Sequence, residues 1–170
     1  ILSGGDPLSL VDHRLTELVD EIEKLGFVKT LRLHTRFPIV LPERVGENLL
    51  SILSRTRLST VLVVHCNHAN EIDDSVRIAL KDLKSTGTQL LNQSVLLNGI
   101  NDDVGRLEKL NQVLFDCGVL PYYLHLLDPV AGAAHFEVKE SRARELVTQL
   151  QHRLPGYLVP RLVREEPGGL

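Results

Sequence analysis

Residues 60–94, TVLVVHCNHANEIDDSVRIALKDLKSTGTQLLNQS, contain one complete repeat of the pattern that decides the fold. A short apolar run, Thr60–Val64, is followed at once by the polar residues His65–His68. The next stretch, Asp73–Ser85, carries apolar residues at helical spacing. A second apolar run that ends in polar residues, Gln89–Ser94, closes the unit. This order of strand, helix and strand with short connections predicts a parallel βα unit.

The same alternation extends along the whole chain, with apolar runs that begin about every 30 residues, a period typical of βα folds. The predicted strands are Ile1–Leu2, Thr30–Leu33, Thr60–Val64, Gln89–Leu91 with Val95–Leu97, Val119–Leu124 and Tyr157–Val163. The predicted helices are Leu15–Leu25, Glu43–Leu53, Asp73–Ser85, Val104–Cys117 and Ser141–Leu154. Gly26, Gly87 and Gly118 follow helices, where a left-handed residue is favoured. We therefore expect one α/β domain over residues 1–170, a partial parallel (β/α) barrel of about five to six βα units.

Composition and charge exclude several classes of protein. The chain has 170 residues, of which 43% are hydrophobic and 24% are charged, the profile of a soluble globular domain. Its net charge of -3 gives no basic field for nucleic acid or an anionic membrane. Cys66 and Cys117 form no CxxC pattern and are too few to hold an iron–sulfur cluster. They predict free thiols and a cytoplasmic location.

Polar clusters come directly after the predicted strands, before the next helix begins. They are Ser3–Asp6, His34–Arg36, His65–His68, Asn92–Ser94, and His125 with Asp128. In parallel α/β folds the carboxyl ends of the strands point the same way, and active sites are built at that end. The five clusters therefore predict one shared site.

Each cluster also has a plainer interpretation. Ser3–Asp6 is compatible with a turn and a helix cap. His65 and His68 lack an obvious third metal ligand, so hydrogen bonds within a loop are favoured over a metal site. The Asn92-Gln93 pair is flanked by leucines and valine, which indicates partly buried amides with partners. Asp128 either caps a turn or binds a ligand, and both interpretations stay open.

Five motifs, in this order, resemble those of the lysine 2,3-aminomutases, which are radical S-adenosylmethionine enzymes. They are SGGDPL at 3–8, LHTRFPIVLP at 33–42, HCNHANE at 65–71, LNQSVLL at 91–97 and PYYLHLLD at 121–128. The match covers essentially the whole chain. GAAHF at 132–136, together with His125, resembles one branch more closely. That branch isomerises a lysine that is later attached to translation elongation factor P.

The resemblance implies an isomerase that converts L-lysine to β-lysine with three cofactors. These are a [4Fe–4S] cluster, S-adenosylmethionine and pyridoxal 5′-phosphate, which supply the chemistry that side chains lack. The residues implied to bind S-adenosylmethionine are Gly4, Gly5, Asp6, Arg36, His65 and Gln93. His125 is implied to lie beside the pyridoxal ring. Asp128 is implied to pair with the ε-ammonium group of the substrate, and Glu165 is implied to be a second substrate-binding residue.

The chain departs from the family at several positions. The CxxxCxxC cluster motif is absent and is expected upstream of Ile1. The lysine that binds pyridoxal phosphate is expected just beyond Leu170, so both ends are expected to be truncated. We therefore expect no catalytic residue and no metal ligand in this chain, and no activity from it alone. Glu165 and His125 stand where the standard enzymes carry aspartate and tyrosine.

Two other functions stay open. One is a non-catalytic α/β module that binds a small molecule through the same polar groups. The other is a radical S-adenosylmethionine enzyme without pyridoxal phosphate. The order of motifs between Leu91 and Asp128 favours the aminomutase. The expected partner is the small molecule lysine, with neither nucleic acid nor membrane, and a homo-oligomer is left open.

Overall fold

The computed structural model describes residues 1–164, which form one five-stranded parallel sheet flanked by helices. Its strands are β1 (Thr30–Thr35), β2 (Ser59–His65), β3 (Gln89–Val95), β4 (Val119–His125) and β5 (Arg161–Val163). The order in the sheet follows the chain, β1-β2-β3-β4-β5, and each neighbouring pair is parallel. This order does not reverse within the described residues, as expected for part of a (β/α) barrel. The predicted α/β fold is therefore confirmed.

The helices lie between the strands, close to the predicted positions. They are α1 (Asp12–Lys24), α2 (Phe37–Val40), α3 (Glu47–Arg55), α4 (Asp74–Ser85), α5 (Val104–Asp116) and α6 (Glu140–Arg153). Short 3-10 turns lie at Pro7–Ser9, Pro42–Arg44, Ala69–Glu71, Ala134–Phe136 and Gly156–Leu158. Side-chain caps explain two helix starts, because Asp73 Oδ1 accepts from Val76 N at 2.9 Å and Asp103 Oδ1 accepts from Arg106 N at 3.1 Å. Within residues 1–164, none of these helices combines the length and apolar character needed to span a bilayer.

Two predicted strands are shorter than expected. Leu2 forms only an isolated parallel bridge with Leu33. The predicted strand Tyr157–Val163 begins as a 3-10 turn, and only Arg161–Val163 pairs with β4. Apolar residues in Tyr157–Val163 instead pack into the core beside α6, so apolar character alone gave the wrong length.

The helix ends follow the glycine prediction in two of three positions. Gly87 has φ 86° and Gly118 has φ 78°, both in the left-handed region, as predicted. The prediction was wrong for Gly26, which does not have a positive φ. There, Leu25 N donates to Ile22 O at 3.1 Å and Val28 N donates to Leu25 O at 2.9 Å. These bonds turn the chain without a left-handed residue.

The two faces of the sheet differ because alternate side chains of a strand point in opposite directions. In β1, Leu31 and Leu33 are buried in a core cluster that also contains residues of α1, α3 and α4. Arg32 and His34, between and after them, lie on the opposite face. The helix-facing side of the sheet is thus apolar, and the other side carries the polar groups.

Candidate functional site

A cleft of about 610 Å³ lies at the carboxyl ends of the strands. Its lining residues come from the N-terminal loop and from the ends of β1 to β4, and they are Ser3, Gly4, Gly5, Asp6, Arg32, His34, Thr35, Arg36, His65, Gln93, Tyr123 and His125. Each of the five predicted clusters contributes at least one of these side chains or backbone segments. The volume is in the range of sites that bind small molecules. The structure therefore brings residues of all five predicted clusters into one cleft, with the exception of Asp128 in the fifth cluster, which lies elsewhere.

The N-terminal loop is fastened to the end of β1 by one carboxylate. Asp6 Oδ1 accepts from Leu8 N at 3.0 Å and from Thr35 Oγ1 at 2.6 Å. Asp6 Oδ2 accepts from Arg36 N at 2.7 Å. Gly4 and Gly5, with φ 87° and 142°, adopt backbone that other residues rarely adopt, and so leave bare peptide groups facing the cleft.

His65 and Gln93 form a pair across β2 and β3, where they are partners in the sheet register. Their Nε2 atoms are 2.6 Å apart. Because an amide nitrogen only donates, Gln93 donates and His65 Nε2 accepts. Burial lowers the pKa of His65 to about 4, helped by the charge of Arg36 and by the other histidines. The imidazole is therefore neutral at neutral pH.

Behind this pair, Asn92 holds the backbone that follows His65. Asn92 is only 2% exposed. Its Oδ1 accepts from Cys66 N at 2.9 Å, and its Nδ2 donates to Cys66 O at 3.1 Å and to Ser94 Oγ at 2.9 Å. Ser94 Oγ also donates to Cys66 O at 2.7 Å. The expected buried amide with partners is present, and its role is to position the β2 end.

A second buried amide joins the loops that follow β2 and β3. Asn101 is 0% exposed, and its Nδ2 donates to Asn67 O and to Val95 O, each at 2.9 Å. Asn101 Oδ1 accepts from Leu97 N at 2.7 Å. Asn67 Oδ1 accepts from Val95 N at 2.7 Å. These bonds fix one strand-end loop against the next.

His68 has the loop role that was favoured over a metal site. Its Nδ1 accepts from Asn70 N at 3.1 Å. Glu71 Oε1 accepts from Asn67 N at 2.7 Å and from His68 N at 2.6 Å. Together these contacts cap the 3-10 turn Ala69–Glu71.

The two cysteines are buried free thiols. Burial raises the pKa of the Cys66 thiol, and the nearby carboxylate of Glu71 raises it further. Burial also raises the pKa of Cys117, against the opposing charge of Arg77. Thiolates are the form that binds metals, so neither position suits a cluster. In residues 1–164, no group of three or more His, Cys, Asp or Glu side chains is arranged to hold a metal ion.

Sequence reasoning missed two residues that line the cleft, Arg32 and Tyr123, and it gave no separate role to His34, which it placed in the cluster after β1. Burial lowers the pKa of His34, and the charges of Arg32 and His125 add to the effect. The rings of Tyr123 and His125 meet edge to face, with centroids 5.7 Å apart. The alternation of β1 contained the signal, because a residue between two buried leucines must face the other side of the sheet.

Asp128 lies in a different cavity, of about 340 Å³. This second cavity is lined by Leu127, Asp128, Pro129, Val130, Ala131, Ala133, Ala134 and Glu137. Asp128 is exposed, and Glu137 is a second carboxylate that sequence reasoning missed. Asn98 fastens this loop, since its N donates to Phe136 O at 2.8 Å and its Nδ2 donates to His135 O at 3.2 Å. Glu165 lies outside the described residues.

Several known proteins that are similar in sequence are named L-lysine 2,3-aminomutase. The chain is 49% identical to L-lysine 2,3-aminomutase of Escherichia coli over 168 residues, which are 99% of this chain and 49% of that protein. It is 48% identical to the Haemophilus influenzae protein of the same name, covering 99% and 50%. It is 36% identical to that of Clostridium subterminale, covering 99% and 40%. The chain is a homologue of the L-lysine 2,3-aminomutases. This homology confirms the resemblance found in the motifs, and the chain spans about half the length of the relatives it matches.

Solved structures show the same fold. A domain of pyruvate-formate lyase-activating enzyme from Bacteroides vulgatus has a TM-score of 0.62 and 13% identity, and covers 97% of each chain. Streptococcus suis SuiB bound to S-adenosylmethionine has a TM-score of 0.64 and 12% identity, over 96% of this chain and 38% of that one. A radical S-adenosylmethionine methyltransferase from Sphaerobacter thermophilus has a TM-score of 0.62 and 18% identity, over 89% and 46%. At these identities the likeness shows the fold alone. No protein-family model matches the chain.

Proposed function

We propose that this chain forms part of a radical S-adenosylmethionine enzyme, a lysine 2,3-aminomutase that converts L-lysine to β-lysine. The observation that carries the proposal is the 48–49% identity to proteins of that name, over residues that include the polar cleft. The motif residues Gly4, Gly5, Asp6, His65 and Gln93 line that cleft together. A cytoplasmic location is part of the proposal, because both cysteines are free thiols.

The cleft residues fit S-adenosylmethionine. A carboxylate has about four acceptor positions, and the protein uses three on Asp6, so one remains for an ammonium group. The Arg36 guanidinium at the rim suits a carboxylate. The neutral His65 with Gln93 offers uncharged hydrogen-bonding groups for a nucleoside. The bare peptides of Gly4 and Gly5 allow close approach.

The other two cofactors would require residues outside the described chain. Cys66 and Cys117 are buried with raised pKa, so the cluster thiolates would come from another part of the full-length protein. The lysine for pyridoxal phosphate would follow Leu170, and His125 would stand beside the pyridoxal ring. When bound, the cluster and S-adenosylmethionine supply a carbon radical, and pyridoxal phosphate stabilises the migrating group. On this proposal the 170-residue chain alone is inactive.

Lysine is the proposed substrate, with Asp128 and Glu165 as the residues for its ε-ammonium group. The second cavity supports this assignment, because Asp128 and Glu137 place two carboxylates beside apolar residues that suit a methylene chain. We further propose that the product serves the modification of translation elongation factor P. The support is the resemblance of His125 and the segment 132–136 to that branch.

The test is turnover by the full-length protein with a reconstituted cluster, S-adenosylmethionine, pyridoxal phosphate and L-lysine. We expect β-lysine, detected by mass spectrometry, and none from the 170-residue chain. Turnover that persists without pyridoxal phosphate would favour a different radical enzyme. Binding of S-adenosylmethionine without cleavage in the fully loaded protein would favour a binding module. Either result contradicts the proposed function.

A further inference from the structure

Two nitrogen atoms in the cleft are buried without a hydrogen-bond partner in the part of the chain that the structure describes. They are Nε of Arg32 and Nε2 of His34. Both side chains line the cleft, and they are alternate residues of β1 on the face away from the helices. Buried polar groups in folded proteins are nearly always hydrogen-bonded. Two neighbouring buried nitrogen atoms without a partner, on the same side of the cleft, therefore indicate a site for a ligand group.

The charge of the cleft indicates the sign of that group. Arg32 and Arg36 are permanent cations. Asp6 is the single carboxylate among the described residues of the lining, and its one negative charge offsets only one of these two cations. His65 is neutral at neutral pH, so it neither adds nor removes charge. The wall around Arg32 therefore has an excess of positive charge that the described residues do not balance.

We infer that Arg32 and His34 form an anion-binding subsite for a carboxylate or a phosphate group. The guanidinium fork matches the paired oxygens of both groups, and the imidazole adds one further hydrogen bond. Arg32 lies within β1 and Arg36 directly follows its last residue, Thr35, so this subsite is deeper in the cleft than the rim formed by Asp6 and Arg36. A ligand that reaches both positions would be fixed at two points.

The inference rests on the proposed function for its three candidate ligands. The group is the carboxylate of S-adenosylmethionine, the phosphate of pyridoxal phosphate or the carboxylate of lysine. The excess positive charge of the cleft indicates that the bound group is negatively charged. Which of the three ligands carries that group is decided by experiment.

The experiment measures dissociation constants of the three ligands for the full-length protein by isothermal titration calorimetry. Arg32→Gln and His34→Gln are compared with wild type, and Arg55→Gln is the control, since Arg55 pairs with Asp20 on α1, away from the cleft. We expect Arg32→Gln to weaken one ligand by about 10- to 100-fold, the worth of a hydrogen bond to a charged group. Arg32→Lys should recover part of that loss.

The outcomes separate this inference from the proposed function. If the wild type binds none of the three ligands, the proposed function fails. If the wild type binds them and both variants change every constant by less than about twofold, the subsite is overturned. Equal loss for all three ligands also overturns it, because that would be a general effect of charge. Far-ultraviolet circular dichroism checks folding, and His34→Gln decides the question if Arg32→Gln does not fold.

Discussion

Replacing Asn92 by leucine would test how the cleft is held in place. Leucine has the same branched skeleton of four side-chain heavy atoms as asparagine, so the change removes hydrogen bonds without creating a cavity. Cys66 N would lose the acceptor that it has in the structure, whereas Cys66 O would keep the hydrogen bond from Ser94. Ser94→Ala is the matched control, because it leaves both Cys66 groups bonded to Asn92.

The expected magnitude follows from these contacts. A buried N–H left without an acceptor costs about 1–3 kcal/mol, and each lost hydrogen bond contributes about 0.5–1.5 kcal/mol. Asn92 makes three such bonds, but leucine avoids the cost of burying an amide. We expect Asn92→Leu to lower the free energy of unfolding by about 2–4 kcal/mol, and Ser94→Ala by about 0.5–1.5 kcal/mol. The first loss is a large part of the roughly 5–15 kcal/mol that stabilises a typical domain.

The assay is urea unfolding of the full-length protein followed by circular dichroism, with S-adenosylmethionine affinity measured on the folded variants. His65 directly precedes Cys66, so the backbone shift should also weaken this binding in Asn92→Leu. If Asn92→Leu stays within about 0.5 kcal/mol of wild type, or costs no more than Ser94→Ala, then Asn92 does not hold the β2 end as the hydrogen bonds indicate.

Three further predictions concern single side chains. Asp128→Asn should lower kcat/KM for lysine by about tenfold, less than for a buried charge pair because Asp128 is exposed, and should leave S-adenosylmethionine affinity unchanged; a change below about threefold would leave Asp128 as a turn residue. The pKa of His65 is lowered to about 4 from an ordinary 6.5. Between these two pH values the imidazole is protonated in the unfolded chain and neutral in the folded protein. The contribution of His65 to the free energy of unfolding should therefore be fully present above pH 6.5 and should be lost as the pH falls towards 4. An equally steep fall in the free energy of unfolding of His65→Gln would argue against this cause. Ellman's reagent should modify Cys66 and Cys117 only after unfolding, and fast reaction of the native protein would contradict their burial.

The sequence predicted those features that depend on repetition. Strand and helix alternation was sufficient for the sheet, because apolar spacing reports which face of each element is buried. Features that depend on the geometry of one turn could not be predicted from the repeated pattern of apolar residues. Gly26 and Gly87 both follow helices, yet only Gly87 is left-handed, since the choice depends on which backbone bonds close the turn. Arg32 was missed because the polar clusters were sought after strands and this residue lies within β1.

Partners of the buried amides could not be predicted either. The flanking leucines indicated that Asn92 is buried, but not that it bonds the peptide of Cys66, which is 26 residues away in sequence. Such pairs depend on the register between neighbouring strands, and a shift of one residue would reverse every side chain. The register brings His65 opposite Gln93, and the same alignment brings Asn92 to the end of β2.

The cleft is surrounded by loops that are each tied to a neighbour by a polar side chain. Asp6 joins the N-terminal loop to the end of β1. Asn92 ties β3 to the end of β2, and Asn101 ties the loops after β2 and β3. Asn98 ties the loop after β3 to the loop that carries Asp128. On the proposed function, a reaction that passes through radicals would need its reactants held apart from solvent and from other side chains. Successive hydrogen bonds between strand-end loops would provide that restraint, because the same polar residues that shape the cleft also limit its motion.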